Sequence, residues 1–224
     1  MRLNDDLGVR TVVHAGRLDW VPSPSQGVDR RMLFRIGDEK ARATSIVRYA
    51  PHSRFPRHLH PGGEEFLVLE GTFQDEMGEY PAGAYVRNPP ASGHSPRSDA
   101  GCTIFVKLWQ FREDDHERIV RQPGEGGPAG NGGRCATCLT LFERPHEKVT
   151  LEDWLPGATV VTVNSRGLEL LVLSGSFSDG REELQRWSWL RLPAGADLHA
   201  RVGPGGARIW LKSAPLLHDR VCAF

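Results

Sequence analysis

The sequence predicts an all-β chain built as two tandem barrels of one fold, and three features carry that prediction. Short apolar stretches recur between clusters of Gly, Pro, Asp and Ser, the pattern of strands joined by tight turns. The first half is echoed by the second: GLELLVLSGSFSDG at 167–180 parallels GEEFLVLEGTFQDE at 63–76, and ARIWLK at 207–212 parallels CTIFVK at 102–107. Between the copies lies PGEGGPAGNGG, a glycine-rich tract of the kind that separates domains.

Residues 1–30 contain one short strand-like run at 9–13, then WVPSPSQGVD, which holds too many turn formers to be regular. They are expected to lie as an arm over the first barrel. That barrel spans 31–112, with RMLFRI, ATSIVRYA, FLVLEGTF, AYVRN and CTIFVKLWQF as strands. The run Phe66, Leu67, Val68, Leu69 is apolar on both faces. One face fills the barrel, so the other needs cover from a second sheet, the second half of the chain or a second copy in a homodimer. Residues 113–134 read as the linker, with a turn of helix at its start. Residues 135–224 form a degenerate second barrel and a C-terminal tail, and within it LEDWLPGA at 151–158 parallels VRYAPHS at 47–53.

Composition narrows the class. Lys plus Arg and Asp plus Glu each number 28 in 224 residues, so zero net charge gives no pointer to nucleic acid or to a membrane surface. No apolar run approaches the ~20 residues that span a bilayer, and MRLNDDLGVR lacks the apolar core of a signal peptide. A cytoplasmic location is therefore expected. Four cysteines are too few for a disulfide framework in a chain of this length.

The chemistry concentrates in RHLHPGGEEFLVLEG, 57–71, and NPPASGH, 88–94. Alternation along a strand points His58 and His60 to one face. Pro61, Gly62 and Gly63 then turn the chain and set Glu64 at the head of an apolar strand, with His94 following after a second turn. Three imidazoles and a carboxylate suit one divalent transition metal, zinc first and iron, nickel or manganese as alternatives. Glu65 is the alternative to Glu64. Aligning the two VL-x-G segments puts Thr162, Asn164 and Leu168 where His58, His60 and Glu64 stand, and only His199 falls near the equivalent of His94. The second barrel therefore reads as metal-free.

These motifs resemble those of the cupins. His58, His60, Glu64 and Gly71 follow the spacing of the first cupin motif, and Pro89, Pro90 and His94 that of the second. The stretch GGEEFLVLEGTFQDEMGEYPAGAYVRNPPASGHSP with GCTIFVKLWQF is similar to the cupin domain of ChrR-type anti-sigma factors. The resemblance covers about 30–112 strongly and 135–213 weakly. It implies jelly-roll barrels and a zinc ion on His58, His60, Glu64 and His94. It also implies a sigma factor or other regulatory protein as partner. In that family an N-terminal helical domain with a His-x3-Cys-x2-Cys zinc site captures the sigma factor, whereas this chain begins almost directly with the cupin. Cys135 and Cys138 form a Cys-x2-Cys pair, but no histidine stands four residues before Cys135.

Two functions follow as expectations. One is a metal-binding stress sensor of the anti-sigma type. The other is a metal-dependent dioxygenase acting on a small diketone or enol, since an octahedral ion held by four protein groups keeps positions for a small-molecule ligand. Cys135 and Cys138 read as structural, redox-active or metal-binding, in that order. Asp75, Glu76 and Glu79 read as a solvated hairpin tip, and Arg87 as an exposed strand arginine.

Overall fold

The computed structural model describes residues 1–38, 40–128, 135–218 and 220–223. Their regular structure is almost entirely β-strand; the helical content among them is one 3-10 turn, Ala15–Arg17. No helix among the described residues is long and apolar enough to cross a membrane. The chain divides into two compact units, one of 1–5, 19–124 and 217–224, the other of 6–18 and 125–216.

The first unit is organised on a sheet in which Val28–Gly37, Ala41–Tyr49, Cys102–Leu108, Glu64–Asp75, Tyr85–Asn88 and Ile119–Arg121 lie side by side in that order. All their pairings are antiparallel. A separate two-stranded ribbon pairs His58–His60 with Ser92–His94. In the second unit Cys135–Arg144, Glu147–Trp154, Leu198–Ser213, Leu168–Ser178, Ser188–Leu192 and Thr11–His14 take the same places in the same order. The internal sequence copy is thus a copy of strand order, with a jelly-roll arrangement in each unit.

The alternating strand pattern gives each unit an apolar cluster. Phe66, Val68, Phe73, Val86, Ile104 and Val106 pack together in the first. Leu170, Val172, Phe177, Leu190, Ile209 and Leu211 do so in the second. Each unit also has a glycine that only glycine fits. Gly71 has φ +71° and Gly175 φ +70°, and an added Cβ would stand 2.1 Å and 2.0 Å from the carbonyl oxygens of Gly101 and Gly206. Gly71→Ala combines an unfavourable left-handed backbone with that overlap, so urea unfolding should show a loss of about 2 kcal/mol or more.

Three expectations change. Of the 1–30 arm, residues 6–18 belong to the second unit: Thr11–His14 pairs with Ser188–Leu192 and supplies the edge place that Ile119–Arg121 holds in the first unit. Arg10 adds ion pairs to Asp179 and Glu182 there. The segment 113–134 is not uniformly linker. Its apolar Ile119 and Val120 satisfy the open edge of Tyr85–Asn88 as a strand, and Gly127–Pro128 pairs with Leu139 and Thr140. Residues 129–134 of that segment lie outside the described residues. The C-terminal tail returns to the first unit, where the indole N–H of Trp109 donates to the carbonyl of Ala223 at 2.9 Å and Arg220 pairs with Glu113 and Asp114.

Candidate metal centre

The ribbon brings the histidines together through its register. His94 lies directly opposite His58, and His60 lies opposite Ser92. His58 and His60 share a face because they are two apart, so the three imidazoles converge. One ring nitrogen from each falls within 4.8 Å of the others. The turn that follows is closed by the Gly63 amide donating to the His60 carbonyl at 3.0 Å, with Gly63 at φ +76°. It delivers Glu64 opposite Asn88, at the head of the long strand. Glu64 Oε2 stands 3.6 Å from His60 Nε2 and 3.5 Å from His94 Nε2, and it accepts a hydrogen bond from Asn88 Nδ2 at 3.1 Å.

The tautomers suit a metal. His94 Nδ1 lies 3.1 Å from the Asp75 carboxylate, which can only accept, so that nitrogen carries the proton and Nε2 presents its lone pair. His58 Nδ1 donates to the Pro56 carbonyl at 3.2 Å, which likewise leaves its Nε2 as the donor atom. His60 Nε2 and His94 Nε2 are 3.1 Å apart. Two nitrogens at about 2.1 Å from one ion are about 3.0 Å apart at a right angle and about 3.4 Å at the tetrahedral angle, so the spacing accommodates an ion.

Burial sets the electrostatics. Desolvation draws the His60 imidazole below its ordinary value. Burial pulls His94 the same way, but the Asp75 hydrogen bond and the charges of Glu64 and Asp75 outweigh it and raise the value. For Glu64 burial favours the neutral acid, yet His60, His94 and the Asn88 amide hold its carboxyl below the usual range. The carboxylate and the neutral form of His60 are those a metal needs.

Aromatic rings pack on the inner side of the donors. The rings of Phe73 and His94 have centroids 5.7 Å apart, and Phe66 packs on Phe73 at 4.8 Å. Above them His58 is exposed while His60, Glu64 and His94 are buried. Access is therefore from the His58 side.

Of the two glutamates, Glu64 faces the imidazoles. Glu65 points to the other side of the strand, where it accepts from the Tyr85 hydroxyl and sits 3.7 Å from Arg87. Arg87 is not an exposed arginine: it is 1% accessible, pairs with Asp115 and stacks on Phe111 at 4.4 Å. Nor is the acidic hairpin a uniformly solvated tip. Asp75 is buried and bonded to His94, the Tyr80 hydroxyl and the Met77 amide. Glu76 accepts from the Ser95 amide beside His94. Asp75 and Asn88 are the site residues the motif reading missed. Counting in twos from the core residue Phe73 puts Asp75 on the inner face, and that signal was present. Asp75→Asn should lower metal affinity about 10–100-fold by loosening the His94 tautomer, as read by competition with a chromophoric chelator.

The second unit lacks this donor set at the matching places. Thr162 stands opposite Leu198 as His58 stands opposite His94, and Leu168 holds the place of Glu64. His199 lies one residue beyond Leu198, exposed, and faces the exposed Val161 on the other side of the strand. Asn164 instead pins a loop, donating to the carbonyls of Pro193 and Ala196.

Residues 9–112 match the family described as the ChrR cupin-like domain. This segment belongs to that family. Several solved structures share the fold across nearly the whole chain. A proposed dioxygenase from Nostoc punctiforme is 13% identical with TM-score 0.71, covering 97% of this chain and 87% of its own. The Escherichia coli pirin YhhW, solved with nickel(II), is 14% identical with TM-score 0.68, covering 92% of this chain and 99% of its own. A cupin 2 conserved barrel domain protein from Leptotrichia buccalis is 12% identical with TM-score 0.59, covering 91% and 96%. At these identities the likeness establishes the cupin fold of both units. No curated protein matches the sequence.

Proposed function

We propose that this chain is a metal-binding regulatory cupin of the ChrR type. It acts as a cytoplasmic stress sensor whose first unit holds one divalent ion on His58, His60, Glu64 and His94. The observation that carries this reading is the convergence of three imidazole nitrogens within 4.8 Å, with a buried carboxylate oxygen 3.5 Å from His94. Zinc is the first choice of ion, with iron, nickel and manganese as alternatives. Aromatic packing beneath the donors favours sensing over catalysis, because it leaves the ion's surroundings on that side to protein rather than substrate. A reactive oxygen species or small ligand reaching the His58 rim would disturb the ribbon that carries three of the four donors. That change would alter a surface read by a regulatory protein, a sigma factor being the partner the family suggests.

A second reading, a metal-dependent dioxygenase for a small diketone or enol, is favoured by the exposure of His58 and by the near-right-angle spacing of His60 and His94. A metal there would supply Lewis-acid and oxygen-activating chemistry; the chain's part is to orient the donors and to keep water from the inner side. Elemental analysis of protein purified without chelator, paired with an oxygen electrode and a simple β-diketone, separates the two. Zinc at full occupancy without oxygen uptake supports the sensor. Iron with diketone-dependent uptake overturns it in favour of the enzyme.

A further inference from the structure

The second unit has a constellation of its own, away from the positions that match the first site. Cys135, Cys138 and Glu152 are all buried, and one ligand atom from each lies within 4.8 Å of the others. In a regular strand residues three apart face opposite sides, so a Cys-x2-Cys pair on a strand would diverge. Here the register shifts between Cys135 and Thr137: Cys135 faces Trp154, Thr137 faces Asp153 and Cys138 faces Glu152. Ala136 is the extra residue of a bulge. Its effect is to turn both thiols inward while Ala136 and Thr137 stay exposed.

Comparison with the first unit shows that the fold does not require polar groups here. Trp154 pairs with Ala207 as Tyr49 pairs with Cys102, and Cys135 faces Trp154 as Val28 faces Tyr49. Cys135 and Glu152 therefore stand where the first unit has Val28 and Val47, both in its apolar core. A carboxylate in such a place is costly unless it is paired or bound to a metal. Glu152 is held in one orientation, accepting from the Trp154 indole N–H at 2.7 Å on Oε2 and from the Thr150 hydroxyl at 3.0 Å on Oε1. Cys135 Sγ lies 3.5 Å from Glu152 Oε2. Thiolate sulfur and carboxylate oxygen on tetrahedral zinc, at about 2.3 and 2.0 Å, are about 3.5 Å apart.

We propose that Cys135, Cys138 and Glu152 form a second metal site, a buried thiolate–carboxylate clamp for zinc or another thiophilic divalent ion. Trp154 and Thr150 orient its carboxylate. The clamp ties the two opening strands of the second unit across the bulge. On binding, each thiol gives its proton to solvent and a metal–sulfur bond replaces the S–H bond, while Glu152 binds as the carboxylate. The fourth tetrahedral position is left to water or an added ligand.

Cobalt(II) is the probe, because thiolate coordination adds an intense near-ultraviolet charge-transfer band that imidazole and carboxylate ligands do not. The full chain, reduced and freed of metal, is titrated as wild type, as His58→Ala/His60→Ala and as Cys135→Ser/Cys138→Ser. The band is expected in the first two and lost in the third, with one ion per chain fewer in the cysteine variant than in wild type. Glu152→Gln, which keeps both thiols and the fold, should retain a band but bind more weakly. Circular dichroism checks that the serine variant folds; if it does not, Cys138→Ser alone is read for the same loss. No band in the histidine variant, or unchanged stoichiometry in the cysteine variant, overturns the proposal. So does a Cys135–Cys138 disulfide in the purified protein whose reduced form takes up no cobalt. None of these outcomes depends on the imidazole site, whose failure would show instead as unchanged metal content on substituting His58 and His60.

Discussion

Replacing His58 and His60 with alanine in a Cys135→Ser/Cys138→Ser background should leave protein that purifies without metal, and the first unit should become much less stable. Each imidazole supplies one nitrogen of a convergent set, and removing two leaves Glu64 and His94, too few donors to hold an ion against water. Binding at a free-ion concentration about a thousandfold above Kd stabilises the native state by about 4 kcal/mol. For a unit of roughly a hundred residues that corresponds to a fall in thermal midpoint on the order of 15 °C when the ion is lost. Chelation of the histidine-intact protein should produce the same fall without any substitution, which separates the metal's share from that of lost packing. The second unit's transition should stay where it was, since its core shares no residue with the site. Unchanged metal content in the substituted protein would refute the ligand assignment.

The elements that could be read from the sequence were those whose signal is local. His58 and His60 are two residues apart on one strand, and strand alternation alone places them together. The repeat at VL-x-G was visible because Gly71 and Gly175 answer the same steric demand, a left-handed backbone against a carbonyl of the neighbouring strand. What escaped was decided at long range. Thr11–His14 is as plausible an edge strand for one unit as for the other, and only the pairing with Ser188–Leu192 chooses. Asp75 looked like one of several turn acids until His94, nineteen residues on, was seen to donate to it. The bulge at Ala136 reverses the parity on which any reading of Cys135 and Cys138 depended. No single residue there announces it.

The largest stability loss outside the two proposed metal sites should come from Arg87→Met. Arg87 sits opposite Glu65 in the sheet, 3.7 Å from its carboxylate, with a second arm on Asp115 and its guanidinium plane over Phe111. Methionine keeps the volume and the apolar contact but removes the guanidinium charge from the buried Glu65 carboxylate, which keeps the Tyr85 hydroxyl; breaking a buried ion pair in this way costs about 3–5 kcal/mol. Arg87→Lys keeps the charge and loses the fork and the stacking, so it should fall between wild type and Met in urea unfolding. A Met variant within about 1 kcal/mol of wild type would show that the buried ion pair contributes little. The same exchange should reach the metal. Asn88 follows Arg87 and faces Glu64, just as Glu65 follows Glu64 and faces Arg87, so the ion pair on one side of the sheet fixes the register of the donor on the other. Metal affinity should therefore decline in the order wild type, Lys, Met although Arg87 is none of the four proposed ligands. A Met variant that loses stability but keeps its full affinity would show that the two faces of the sheet are energetically independent.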